Sequence, residues 1–138
     1  MSGGGAWAPF PAVTHVIGPA QIDRYAALSG DYNPLHMDPA FARAAGFDDV
    51  IAHGPIGLQT VFAAVARWLG TEGLPPSVRI DVLFRGPVSV GDVITCRAEA
   101  IEEHAGTVLV RARCRDRGGR EVLQALVVVP RRLAPREA

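Results

Sequence analysis

The sequence predicts an α+β domain in which an antiparallel sheet wraps around a central buried helix. Three observations predict it. Residues 55–69, PIGLQTVFAAVARWL, are apolar almost all round, so they suit the inside of a domain and need a layer to cover them. Four β-rich segments then follow in succession with only short turns between them, the order expected of antiparallel neighbours. And 138 residues, 49% apolar and 20% charged, suffice for one real core and not for two.

Taken in order, residues 1–10, MSGGGAWAPF, have neither a basic stretch nor an apolar run and read as a flexible tail with no secretory or transit signal. An early strand is expected near Pro11–Ile17. The stretch GPAQIDRYAALSG, from Gly18, places Pro19 at a helix start, Ile22, Tyr25 and Ala26 on one face and a glycine at the stop. A second short helix has Asp38 as its N-cap, Pro39 in the first helical position and Gly46 as terminator. Between these two helices lies a loop containing SGDYNPLHM. The buried helix over 55–69 follows, and then strands over 78–84, 92–101, 107–115 and 121–130, divided by PVSVGD, EEHAG and DRGG turns. In 107–115, Val108, Val110, Ala112 and Cys114 alternate with Leu109 and arginines, the pattern of a strand with one buried face. The domain spans 11–132, with 133–138 a second tail. This is the hot-dog fold, and the sheet edges it leaves unpaired favour a homodimer or higher homo-oligomer.

Composition narrows the function. All 14 basic residues are Arg and 14 acids balance them, so no overall field draws the chain to nucleic acid or to an anionic membrane. No apolar run is long enough to span a bilayer. Arg111, Arg113, Arg115 and Arg117 form either an anion patch or the wet face of a strand, and the alternation favours the wet face. Cys96 and Cys114 have no CxxC spacing and read as buried core thiols in a reducing cytoplasm.

Two polar clusters remain, SGDYNPLH at 29–36 and IAHGP at 51–55. Gly30 and Pro34 can turn the first sharply enough to bring the Asp31 carboxylate and the His36 imidazole towards one water, an arrangement suited to adding or removing water across a double bond. From the residues alone the favoured reading is plainer, with Asp31 and Asn33 as turn formers and His36 a helix-entry residue satisfied by backbone groups. In the second cluster Pro55 suits the first helical position, and the helix start offers a free Gly54 N–H that can hydrogen-bond a thioester carbonyl. For His53, capping the loop or bonding a backbone carbonyl is the favoured role.

Residues 25–57, YAALSGDYNPLHMDPAFARAAGFDDVIAHGPIG, resemble the hydratase motif of the (R)-specific enoyl-CoA hydratases and MaoC-like dehydratases. Residues 84–94, FRGPVSVGDVI, resemble the later strand-turn-strand signature of that family. The resemblance implies reversible hydration of a trans-2-enoyl thioester, on CoA or an acyl carrier, to an (R)-3-hydroxyacyl thioester, without a cofactor or a metal. Asp31 and His36 fall on the catalytic pair and Gly54 on the oxyanion-hole position. Asn33, Phe62 and Arg85 are the substrate-binding candidates, with Trp68 and Leu83 further possible linings of an acyl pocket; with no Lys in the chain, thioester phosphates would have to meet Arg or backbone N–H groups. The family often has Met or Leu after HG, where this chain has Pro55, so Gly54 is left as the N–H donor. Two other readings share the scaffold: a hot-dog thioesterase, and a non-catalytic acyl-binding subunit of a hetero-oligomer.

Overall fold

The computed structural model describes residues 6–138. Strand β1 (Val13–Val16) leads into helices α1 (Pro19–Ser29), α2 (Pro34–Met37) and α3 (Pro39–Ala44), and then into the long helix α4 (Gly54–Leu69). Strands β2 (Arg79–Phe84), β3 (Val93–His104), β4 (Thr107–Arg115) and β5 (Glu121–Pro130) follow, with a 3-10 turn over Arg131–Leu133 after them. The five strands form one antiparallel sheet in the order β1-β3-β4-β5-β2, so β1 and β2 are its edges.

The helix starts follow the chemistry of their first residues. Pro opens α1, α2 and α3, where its missing N–H costs nothing. Asp38 caps α3 by accepting from the N–H groups of Ala40 and Phe41. Helix α1 stops at Gly30, whose φ of 76° is a left-handed conformation that a side chain would strain; its N–H closes on the Ala26 carbonyl. The one-turn helix α2 stands inside the expected loop, because Asn33 accepts from the Leu35 N–H and Pro34 follows at the first helical position.

Helix α4 buries Ile56, Gly57, Thr60, Val61, Ala64, Val65 and Trp68, a stripe at helical spacing, against the concave face of the sheet. From the sheet, Val108, Val110, Ala112 and Cys114 of β4 and Ala125, Val127 and Val129 of β5 meet it, as period-two alternation requires. Coverage is less complete than the apolar sequence suggests: Gln59 and Arg67 are exposed and Phe62 is only half-buried, since the sheet wraps one side of the helix. The buried Thr60 hydroxyl is satisfied by His15 Nδ1 on β1 at 3.2 Å.

The outer face of the sheet is wet and charged. Arg113 pairs with Glu99 at 2.8 Å and Glu121 at 3.2 Å, and Arg115 with Glu99 at 3.2 Å. Arg111, Arg113 and Arg115 are therefore the polar face of a strand with carboxylates set against them, as the alternation predicts, and Arg117 lies beyond the end of the strand.

The expected tails are corrected for the described residues. Trp7 bridges Arg136, Ala8 N–H donates to the Pro135 carbonyl at 2.9 Å, and Glu137 N–H donates to Ala6 at 2.9 Å. The cause is Trp68: its buried indole N–H needs an acceptor and finds the Ala8 carbonyl at 2.9 Å, while Phe10 packs on its ring. Residues 1–5 of the N-terminal tail lie outside the described residues.

Candidate active site

The polar loop after α1 is tied down by its own side chains. Ser29 Oγ donates to the Tyr25 carbonyl at 2.7 Å and accepts from the Asp31 N–H at 3.2 Å. Asp31 Oδ1 accepts from the Asn33 N–H at 3.2 Å, an Asx turn that leaves Oδ2 free. One helical turn later His36 Nδ1 lies 2.7 Å from the Ile51 carbonyl. A carbonyl only accepts, so Nδ1 carries a hydrogen, and in the neutral ring Nε2 then presents a lone pair. That Nε2 stands 3.8 Å from Asp31 Oδ2, too far for a direct hydrogen bond and close enough for one water to bond both.

His53 lies beneath this pair. It is 2% exposed, its Nε2 donates to the Asp31 backbone carbonyl at 2.9 Å, and its ring stacks on that of His36 at 3.9 Å with planes 27° apart. Tyr25 closes the other side at 4.8 Å. This matches the backbone-bonding role expected of His53, although its Nδ1 is left buried without a partner. Asp31, His36 and His53 each bring a ligand-type atom within 4.8 Å of the others. Imidazole lone pairs lie in the ring plane, however, and two rings stacked face to face direct them side by side. A metal at about 2.0–2.1 Å from each nitrogen would need one ring to rotate out of the stack.

The third component is the start of α4. Pro55 has no N–H, and the Ile56 N–H turns back to the His53 carbonyl at 3.0 Å. Of the first three helical residues, Gly54 alone keeps a free N–H, at the positive end of a 16-residue helix. A Cβ on Gly54 would lie 3.1 Å from Cε1 of Phe84, so the Phe84 ring rests directly on the glycine.

His36 and Gly54 open on a cavity of about 240 Å³ that runs past Phe84, Gly57 and Val88 to Cys114 and Leu123. Of the three residues expected as one site, His36 and Gly54 thus both line the cavity, and Asp31 stands beside His36. The substrate-binding candidates do not line it. Asn33 spends its side chain capping α2, and Phe62 sits on α4 away from the cavity wall. Arg85 is exposed just beyond β2, beside the lining residue Gly86. Trp68 is core packing and Leu83 is exposed on β2. Missed at first were Phe84, Val88, Cys114 and Leu123. The FRGPV stretch contains only Phe84 and Val88 of these, and a residue on a strand, such as Cys114 or Leu123, carries no local mark of the cavity it faces.

An antiparallel sheet around one helix, with a carboxylate–imidazole pair beside a cavity that a helix-start glycine also lines, defines a hot-dog protein with a candidate acid–base site. The chain belongs to the MaoC-like domain family, whose model matches residues 8–115. The (R)-specific enoyl-CoA hydratase of Aeromonas caviae is 37% identical over 108 residues, 74% of this chain and 77% of that protein. The 3-hydroxyacyl-thioester dehydratase X of Mycobacterium tuberculosis is 44% identical over 81 residues, 58% of this chain but only 27% of that longer protein. The solved structure of the (R)-hydratase from A. caviae involved in PHA biosynthesis superposes with a TM-score of 0.72 at 29% identity, covering 87% of this chain and 92% of that one.

Proposed function

We propose that this chain reversibly hydrates a trans-2-enoyl thioester to an (R)-3-hydroxyacyl thioester. The observation that carries the reading is the 3.8 Å gap between Asp31 Oδ2 and the lone-pair nitrogen of His36, at the mouth of a cavity that also presents the Gly54 N–H. One water bonds both acceptors. Its oxygen adds to the β-carbon, one of its protons is taken up by the pair, and a proton is delivered to the α-carbon. Gly54 N–H holds the thioester oxygen, where enolate charge collects. Dehydration is the same path reversed. The acyl chain runs into the cavity towards Val88 and Leu123.

Names of relatives support the reading: both the A. caviae and the M. tuberculosis proteins are hydratases or dehydratases of acyl thioesters. The thioesterase alternative lacks such an observation, since nothing at the mouth favours attack at the carbonyl over the β-carbon. Two buried free thiols fit a reducing cytoplasm, and among the described residues no helix is long and apolar enough to cross a membrane. The working unit is a homodimer formed along the free edge of β2, where Leu83 and Phe84 are each 52% exposed.

Incubation with crotonyl-CoA tests the reaction. Loss of enoyl absorbance without thiol release, giving the (R)-3-hydroxy product, is expected. Free CoA release without hydration would instead establish the thioesterase, and binding without turnover the acyl-binding subunit.

A further inference from the structure

The chain has two cysteines, both fully buried, and they are not scattered through the core. Cys96 on β3 and Cys114 on β4 are direct partners in the antiparallel register. Both side chains point into the core, so the two sulfurs share one layer. Directly opposed residues on antiparallel strands have Cα atoms about 4.5–5.5 Å apart, inside the roughly 4.4–6.8 Å span that a disulfide bridges. Cys114 also forms part of the wall of the cavity that opens at His36 and Gly54.

We propose that Cys96 and Cys114 are an oxidisable thiol pair, converted to a cross-strand disulfide by small hydroperoxides that enter through the active-site cavity. This goes beyond the hydratase reading and does not depend on it.

The local chemistry supports the step. The thiols are hydrogen-bonded to each other, and that bond holds Cys96 below the ordinary thiol value against the opposing effect of burial. The same hydrogen bond, with burial, pushes Cys114 up. Cys96 is thus the more readily ionised of the two, and Cys114 stands beside it as the second sulfur that a two-step oxidation needs. In the first step one thiol gives up its proton as its sulfur attacks a peroxide oxygen: an S–O bond forms, the O–O bond breaks and water leaves with that proton. In the second the neighbouring sulfur attacks the sulfenic sulfur: an S–S bond forms, the S–O bond breaks and a second water leaves with the remaining thiol proton. Two electrons pass from the thiol pair to one hydrogen peroxide. With no third cysteine in the chain, Cys96 and Cys114 can bridge within the chain only to each other.

The test treats the folded, full-length protein with hydrogen peroxide, blocks residual thiols with N-ethylmaleimide after denaturation, and measures intact mass. The expected result is a species lacking two hydrogens and carrying no maleimide, running as a single chain on a non-reducing gel and regaining two reactive thiols with dithiothreitol. Cys96→Ser and Cys114→Ser are each expected to yield no such species, and circular dichroism before and after treatment checks that the fold is retained. Recovery of two unmodified thiols from the treated wild type would overturn the proposal. So would a bridge that forms only in denaturant, or one that links two chains.

Discussion

Gly54 shows how much depends on one missing Cβ. Its N–H is the free donor at the α4 start, and its Cα lies under the Phe84 ring, where an added Cβ would come within 3.1 Å. Gly54→Val is therefore expected to displace Phe84 and the local backbone, lowering kcat by about 10²–10³ as for loss of one oxyanion donor, with the folded state retained. Gly54→Ala combined with Phe84→Ala removes the clash and should recover most of the activity that Gly54→Ala alone loses; steady-state kinetics on crotonyl-CoA read both. For the pair itself, Asp31→Asn and His36→Ala should each lower kcat by about 10²–10⁴. If one water bridges the pair as proposed, the double variant should be little worse than either single one, and multiplicative losses would show that they act separately. At this scale the sequence was informative where chemistry is local. Asp31, His36, Gly54 and the backbone-bonding His53 all sit in short turn-rich stretches whose residue types announce themselves. Asn33 misled for the same reason, since a side chain that caps a helix looks from the sequence like one that binds a ligand.

Elements were legible wherever periodicity is strong. The expected strand over 107–115 coincides with β4, and the expected helix over 55–69 starts one residue early at Gly54. What escaped was α2, because a single turn has no period to detect and only its Asn33-Pro34 start marks it. The β3 strand also runs on to His104, past the expected end at Ile101, with a register shift between Ala98 and Ala100 that lets it continue curving around α4. That curvature is set by packing, which single-strand alternation does not report. The fully buried Ile94 of β3 supports it, and Ile94→Ala should cost about 2–5 kcal/mol, measured as a lower urea midpoint with an unchanged slope.

For the whole molecule, assembly follows from the sheet's outer edge. Along β2 one side pairs with β5 while Leu83 and Phe84 stay half-exposed, so light scattering at micromolar concentration should give a dimer or a multiple of it, and Leu83→Lys should shift the population towards monomer. The cavity was the least legible feature, since its walls come from residues about 20 to 90 positions apart that meet only after the sheet closes on α4. One small feature then governs how durable the site is. His36 hangs from the Ile51 carbonyl, and the Ile51 N–H returns to Leu35 at 3.0 Å. That segment is fastened in turn by Ala52 N–H to Val88 at 2.7 Å and Val90 N–H to Val50 at 3.0 Å, a short ladder outside the main sheet. The His36 imidazole is thus suspended from a clasp of a few bonds, and its alignment has the lifetime of that clasp rather than of the core. On warming, amide hydrogens of Ile51, Ala52 and Val90 should exchange and turnover should fall while those of β4 remain protected, so that the enzyme is disarmed before it is unfolded.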